Sequence, residues 1–310
     1  MKYLAPLLPF LAGWALLLFI PDYFGFALIN GVCQLLLFTF VVCIPAWMTG
    51  RLSYVDIGWP LGLALIGLIT LAVADGYTLR KLTVSAVYLF VGLRMAAGSI
   101  HMWRLGYFKT EFPRYQYQRR RWERAGVKNV PLMIQIEALW QGIANASFLG
   151  LPAIVIASNS NPEISPFEIA GLIIWACAFA METVADSQKS GFLRQMKRAG
   201  QKKQVCNVGL WRYSRHPNYF AEWMVWNALV VAAIPSWLAL YGNLHLILWI
   251  FLGLGLLNTS RCMYMTLVHF TGAKPSEFYS VQKRPDYKIY QQTTNMFFPG
   301  PPKHREVPPS

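Results

Sequence analysis

Arg212, Arg215, His216, Asn218, Tyr219 and Glu222 bring guanidinium, imidazole, amide, phenol and carboxylate groups together where a basic segment runs into an apolar one. Pro217 suits the first turn of a helix, because the N–H it lacks would have no partner there. Helix entry near His216 then leaves backbone N–H groups and the positive end of the helix dipole beside those cations, which makes an anion site. A phosphorylated cofactor is the natural ligand, with arginine reading phosphate through two parallel N–H bonds. Nothing in the chain resembles GxGxxG or the Walker A loop, so a nucleotide is expected between helices and outside a Rossmann fold. The plainer alternative is an anionic lipid headgroup held by the same arginines.

A second constellation lies upstream. Glu182 and Asp186 stand one helical turn apart on one face, where like charges repel unless a cation, a shared proton or ligand hydroxyls satisfy both. Lys189 and Arg194 in the basic segment that follows are candidate partners, and a salt-bridge cluster of purely structural value is the alternative. Further ionisable groups fall within apolar stretches: Asp56, Arg94, His101, Glu137 and Arg261. Such groups are costly in a bilayer and either carry function or pair as glue between helices.

The elements that must hold these groups are those of a membrane protein. Hydrophobic residues make up 55% of the 310-residue chain and charged residues 14%, too little polar surface for a soluble core of this size. About eight stretches approach the roughly 20 apolar residues that a bilayer crossing needs: 4–20, 26–48, 55–74, 82–103, 132–158, 167–186, 219–241 and 243–270. The first is expected to be a retained helix rather than a signal, since Lys2 is a thin basic region and no small-residue cleavage site follows. The fifth is expected to tilt or break near Gly150 and Pro152. The expected fold is an all-α, polytopic helix bundle forming one domain over 1–310. Its cofactor-binding half is placed at about 167–298 and an irregular tail at 299–310. The five cysteines show no paired spacing and no CxxC, which argues against disulfides and against a metal site.

Charge sets the expected orientation. Segments 104–130 and 189–215 each hold eight Lys or Arg, against two carboxylates in the first and none in the second, and their combined excess equals the +14 of the whole chain. Cytoplasmic loops collect such residues. With both segments inside, both termini are cytoplasmic and 159–166 is external; Arg80 and Lys81, placed outside, fit this scheme least well. Basic clusters on one side of a membrane answer to insertion or to anionic headgroups, so no nucleic-acid partner is expected.

Glu182-Thr183-Val184-Ala185-Asp186-Ser187-Gln188, then Phe192 and the stretch from Gly209 to Glu222, resemble the C-terminal region of the membrane steroid 5-alpha-reductase-like proteins, especially bacterial relatives of unassigned substrate. Ser53-Tyr54-Val55-Asp56-Ile57-Gly58-Trp59 resembles an early motif of that branch, and Arg284-Pro285-Asp286-Tyr287-Lys288-Ile289-Tyr290-Gln291-Gln292-Thr293 resembles its tail. The resemblance covers most of the chain from about residue 50. It implies a membrane reductase that binds NADPH in a cytoplasm-facing cavity and passes a hydride to a conjugated C=C of a lipophilic substrate, steroid-like or another lipid enone.

By position it implies cofactor contacts at Glu182, Asp186, Asn218, Tyr219 and Glu222, with Arg212, Arg215 and His216 beside them and Arg261 and Tyr287 as looser matches. Ala221 replaces the usual glycine. The steroid enzymes polarise the substrate carbonyl with an early acid and a tyrosine. Asp56 is the best acid here, either protonated as donor or holding a phenol in place, with a helix-start role in bonding backbone as the alternative. Tyr88, Tyr115 and Tyr117 compete as the phenol, and Tyr115 is the assignment made. The Arg-His-Pro-x-Tyr entrance also resembles membrane methyltransferases that use S-adenosylmethionine on isoprenylcysteine or phospholipid amines. A non-catalytic lipid-binding or transport protein is the third reading. The setting is either a bacterial inner membrane or the endoplasmic reticulum.

Overall fold

The computed structural model describes residues 7–303, and among them helices are joined by short turns with no strand. In chain order the helices are α1 (Leu8–Leu18), α2 (Pro21–Phe38), α3 (Ile44–Thr49), α4 (Val55–Val73), α5 (Thr78–Arg104), α6 (Pro113–Arg124) and α7 (Val130–Ala146). There follow α8 (Leu151–Ala157), α9 (Pro166–Arg198), α10 (Pro217–Ala239), α11 (Leu246–Met265), α12 (Ala273–Lys283) and α13 (Tyr287–Thr293). Among the described residues seven segments are long and apolar enough to cross a membrane: Pro21–Thr49, Leu52–Val73, Thr78–Arg104, Val130–Ala157, Pro166–Arg198, Pro217–Ala239 and Leu246–Lys283. The molecule is a polytopic helical membrane protein.

Three expected boundaries are corrected. The first expected span holds α1, whose 11 residues reach only about 16 Å at 1.5 Å per residue; residues 4–6 of that span and 304–310 of the expected tail lie outside the described residues. The sixth runs on to Arg198, so Lys189 and Arg194 sit on α9 and not in a loop. The eighth does not stop near 270, because a turn of π-helix over Thr266–Phe270 leads into α12. The fifth breaks where the sequence places the break, between α7 and α8 around Ser147 to Gly150.

The chain divides into two compact units, one of Met1–Ile169 with Leu229–Thr259, the other of Ala170–Ala228 with Ser260–Ser310. In the first, α4 and α5 make the most extensive packing, and Gly92 permits it: a Cβ there would lie 2.6 Å from both Pro60 O and Ala64 N. Small residues let helix backbones approach closely where lipid tails offer no hydrophobic drive. Buried amides then satisfy one another: Gln34 donates to Gly62 O (2.9 Å) and Asn30 Oδ1 (3.1 Å) and accepts from Asn145 Nδ2 (3.2 Å).

Arg80, the residue least consistent with the charge scheme, is buried. It pairs with Glu168 at 2.5 Å and donates to the carbonyls of Asn161 and Glu163, so its charge is cancelled at the same end of this unit as 159–166. At the other end Glu111 accepts from Leu52 N (2.8 Å) and Ser53 N (3.0 Å) and pairs with Arg119 (3.2 Å). That carboxylate holds the turn that starts α4.

The second unit contains the end of α9, the segment 199–216, the start of α10, and α12, α13 and the tail. The tail stays attached beyond 298, with Gly300 N donating to Tyr213 O (3.0 Å) and Lys303 N to Thr293 O (2.8 Å).

Candidate functional site

The site is built on how the segment before α10 is held. Gly209 has a left-handed φ of 53°, and a Cβ there would fall 2.3 Å from Gln188 Nε2; glycine therefore serves both the turn and the close approach. Gln188 Oε1 accepts from Leu210 N (2.9 Å), and Trp211 Nε1 donates to Ala185 O (2.9 Å). The upstream motif thus anchors the entrance motif. From the other side the tail closes in: Tyr290 Oη donates to Trp211 O, Ser214 Oγ to Phe297 O (2.9 Å), and Arg215 N to Asn295 O (2.8 Å). α10 begins at Pro217, as the sequence requires.

At the centre lies an ion pair that sequence reasoning missed. Glu277 on α12 takes Arg215 in a fork, Nε to Oε1 at 2.6 Å and Nη2 to Oε2 at 3.1 Å. Arg215 Nη1 donates to the carbonyls of Gln291 (3.0 Å) and Thr294. Gln291 Nε2 reaches Glu277 Oε2 (2.7 Å), and His216 Nε2 lies 3.1 Å from Glu277 Oε1. All three ionisable groups are buried, Arg215 at 8%, His216 at 4% and Glu277 at 7% exposure. The signal was present as one of two carboxylates, with Asp286, in an otherwise basic stretch, 61 residues from His216.

Beside this cluster is a cavity of about 210 Å³. α9 contributes Asp186 and Lys189, the connecting segment Cys206, Trp211, Arg215 and His216, and α10 Asn218 and Tyr219; Ser276, Ser280, Arg284, Tyr287 and Tyr290 complete it. The His216 and Tyr219 rings stack at 5.3 Å and 1°. Asn218 Nδ2 donates to Asp186 Oδ1 (3.1 Å), while Asn218 Oδ1 is enclosed without a partner.

Burial lowers the pKa of His216 from its ordinary value, against the pull of the Glu277 carboxylate. Burial raises the phenols of Tyr287 and Tyr290, and it raises the Cys206 thiol despite the nearby Lys189 and Arg284.

Of the residues singled out in the sequence, Asp186, Arg215, His216, Asn218, Tyr219 and Tyr287 are brought together around this cavity. Glu182 is buried one turn below Asp186, and neither it nor Glu222 lines the cavity. Arg194, Arg212 and Arg261 are exposed and outside its lining. Lys189 and Arg284 line it, the first named in the sequence only as a counter-charge and the second only as part of a tail motif.

In the first unit Asp56 accepts from Tyr115 Oη (2.6 Å) and pairs with Arg114. Tyr115 is the tyrosine that reaches the acid; Tyr88 gives its hydroxyl to Leu149 O (2.6 Å). Burial and the Asp56 charge raise the Tyr115 phenol well above its usual value, so it stays protonated.

Residues 42–294 match the family described as protein of unknown function DUF1295, and the chain belongs to that family. No curated protein and no solved structure matches the chain.

Two outcomes follow from this geometry. Glu277→Gln leaves the buried Arg215 charge unneutralised, and thermal unfolding in detergent should show a loss of about 3 kcal/mol, the low end for breaking a buried pair, since the amide keeps one acceptor; an unchanged transition would show that the pair carries no stability. His216 has a folded pKa below its unfolded value, so on acidification the unfolded state takes up the proton first. Stability should therefore fall as pH drops below about 6.5, and His216→Gln should flatten that part of the curve.

Proposed function

We propose that the protein is an NADPH-dependent membrane reductase acting on a conjugated C=C of a lipophilic enone. The observation that carries the reading is the cavity of the second unit, which combines Lys189 and Arg284 with Asn218 Oδ1, an enclosed acceptor lacking a donor. A buried polar atom left unpaired calls for an explanation, and a ligand amide, such as the carboxamide of a nicotinamide, supplies one. At about 210 Å³ the cavity takes one end of a dinucleotide, since whole drug-sized ligands fill roughly 300 Å³ or more. The resemblance to the steroid 5-alpha-reductase-like proteins in the motifs from Glu182 to Gln188 and from Gly209 to Glu222 supports the same cofactor.

Bound NADPH supplies the hydride, and a donor must deliver the accompanying proton or stabilise the enolate charge. The chain's own groups divide the remaining work. Glu277 positions Arg215 and His216, which fix the start of α10 and with it Asn218 and Tyr219. Asp186 holds the Asn218 amide group so that its oxygen stays available. We assign the donor role to Tyr115, protonated and oriented by Asp56, with Arg114 as the counter-charge; a phenol is a competent acid catalyst. The basic segments 104–130 and 189–215 are assigned to the cytoplasmic side, in keeping with their excess of Lys and Arg.

Calorimetry on detergent-purified protein tests the cofactor. NADPH should bind, and Asn218→Leu, which removes the unpaired acceptor, should weaken it about tenfold, near 1.4 kcal/mol; selective binding of S-adenosylmethionine would move the protein to methyl transfer. Tyr115→Phe should cut turnover of a lipophilic enone by about 10²-fold or more, a general-acid contribution, while NADPH affinity stays unchanged. Equal turnover in that variant would remove Tyr115 from the mechanism.

A further inference from the structure

The arginine that the sequence offers as phosphate reader is already occupied. Arg215 spends four of its N–H donors on Glu277, Gln291 and Thr294, out of five that a guanidinium has, and Glu277 cancels its charge. Arg212 is exposed and outside the cavity lining.

Two cations in the same cavity are differently placed. Lys189 Nζ sits 4.1 Å from the centre of the Trp211 ring, and Arg284 donates to Gln204 O (3.1 Å) and Ser280 Oγ (3.2 Å). These are neutral partners, and neither cation is ion-paired with a carboxylate among the described residues. Asp186 is the lone carboxylate in the lining, and it is bonded by Asn218. Lys189, Arg284 and Cys206 all line the same cavity. Two like charges in one small half-buried cavity repel unless an anion lies between them. Ser276 and Ser280 add hydroxyls to the same lining, the complement that phosphate oxygens accept from.

We propose that Lys189 and Arg284, with the hydroxyls of Ser276 and Ser280, form the phosphate-binding subsite of this cavity. Arg215 is a positioning residue. The proposal rests on the NADPH reading for its ligand, while the phosphate chemistry stands on the residues. Within a dinucleotide the phosphate has two sources, the 2′-phosphate of the adenosine and the bridging diphosphate.

The test is calorimetry of the full chain in detergent with NADPH, NADH, inorganic phosphate and phosphatidic acid in mixed micelles, for wild type, Lys189→Met, Arg284→Gln, Lys189→Arg and Arg212→Gln. Lys189→Met and Arg284→Gln should each weaken NADPH binding about tenfold or more, with Lys189→Arg restoring most of it and Arg212→Gln within about twofold of wild type. Equal weakening of NADH supports the diphosphate, and NADH binding left intact supports the 2′-phosphate. Unchanged NADPH affinity in both variants overturns the subsite and leaves the cofactor reading standing. If NADPH does not bind but phosphate or phosphatidic acid does, and the same variants weaken it, the subsite survives and the cofactor reading falls. Failure of every phosphate compound to bind the wild type overturns both.

Discussion

The fork between Arg215 and Glu277 is the constraint on which the second unit depends. A guanidinium and a carboxylate this deeply buried each carry a desolvation cost of several kcal/mol, which excellent geometry and further hydrogen bonds must offset. Both conditions are met: the fork has two contacts, two carbonyls take the remaining guanidinium arm, and Gln291 and His216 occupy the carboxylate. Because those partners come from α12, α13 and the tail, the pair ties the end of the chain to the entrance of α10. The same bonds that neutralise Arg215 occupy four of its N–H donors within the protein.

The bilayer imposes a related discipline on the first unit. Polar groups far from water call for partners inside the protein, and several find them in small sets. Gln34, Asn30 and Asn145 share hydrogen bonds, Arg80 is cancelled by Glu168 and two carbonyls, and Asp56 holds Arg114 and Tyr115. In the last set Asp56 accepts from the hydroxyl of Tyr115.

Much of this was legible residue by residue. Pro217 marks the start of α10 because its missing N–H is tolerated only in the first turn. Gly150 and Pro152 mark the break between α7 and α8 for a similar reason, since proline interrupts the preceding helical bonds. Asp186 is marked by its one-turn spacing from Glu182, and Asn218 and Tyr219 by their place in the helix entrance that Pro217 opens. Glu277 escaped because nothing local marks it: α12 continues what reads as a basic tail, and its partner is 62 residues away. Arg194 and Arg212 are marked by charge and by nearness to the motifs in the chain, neither of which tells which way a side chain faces.

The sequence by itself determined the class of molecule, the number of apolar crossings to within one, the start of α10 at Pro217 and the break near Gly150. These follow from composition, apolar length and backbone chemistry, which are properties of neighbouring residues. Only the tertiary structure decided which cations face the cavity, which carboxylate neutralises Arg215, and which tyrosine meets Asp56. Those choices depend on packing between segments distant in the chain, where burial makes an unpaired charge too costly to leave and so selects one partner from several of equal charge.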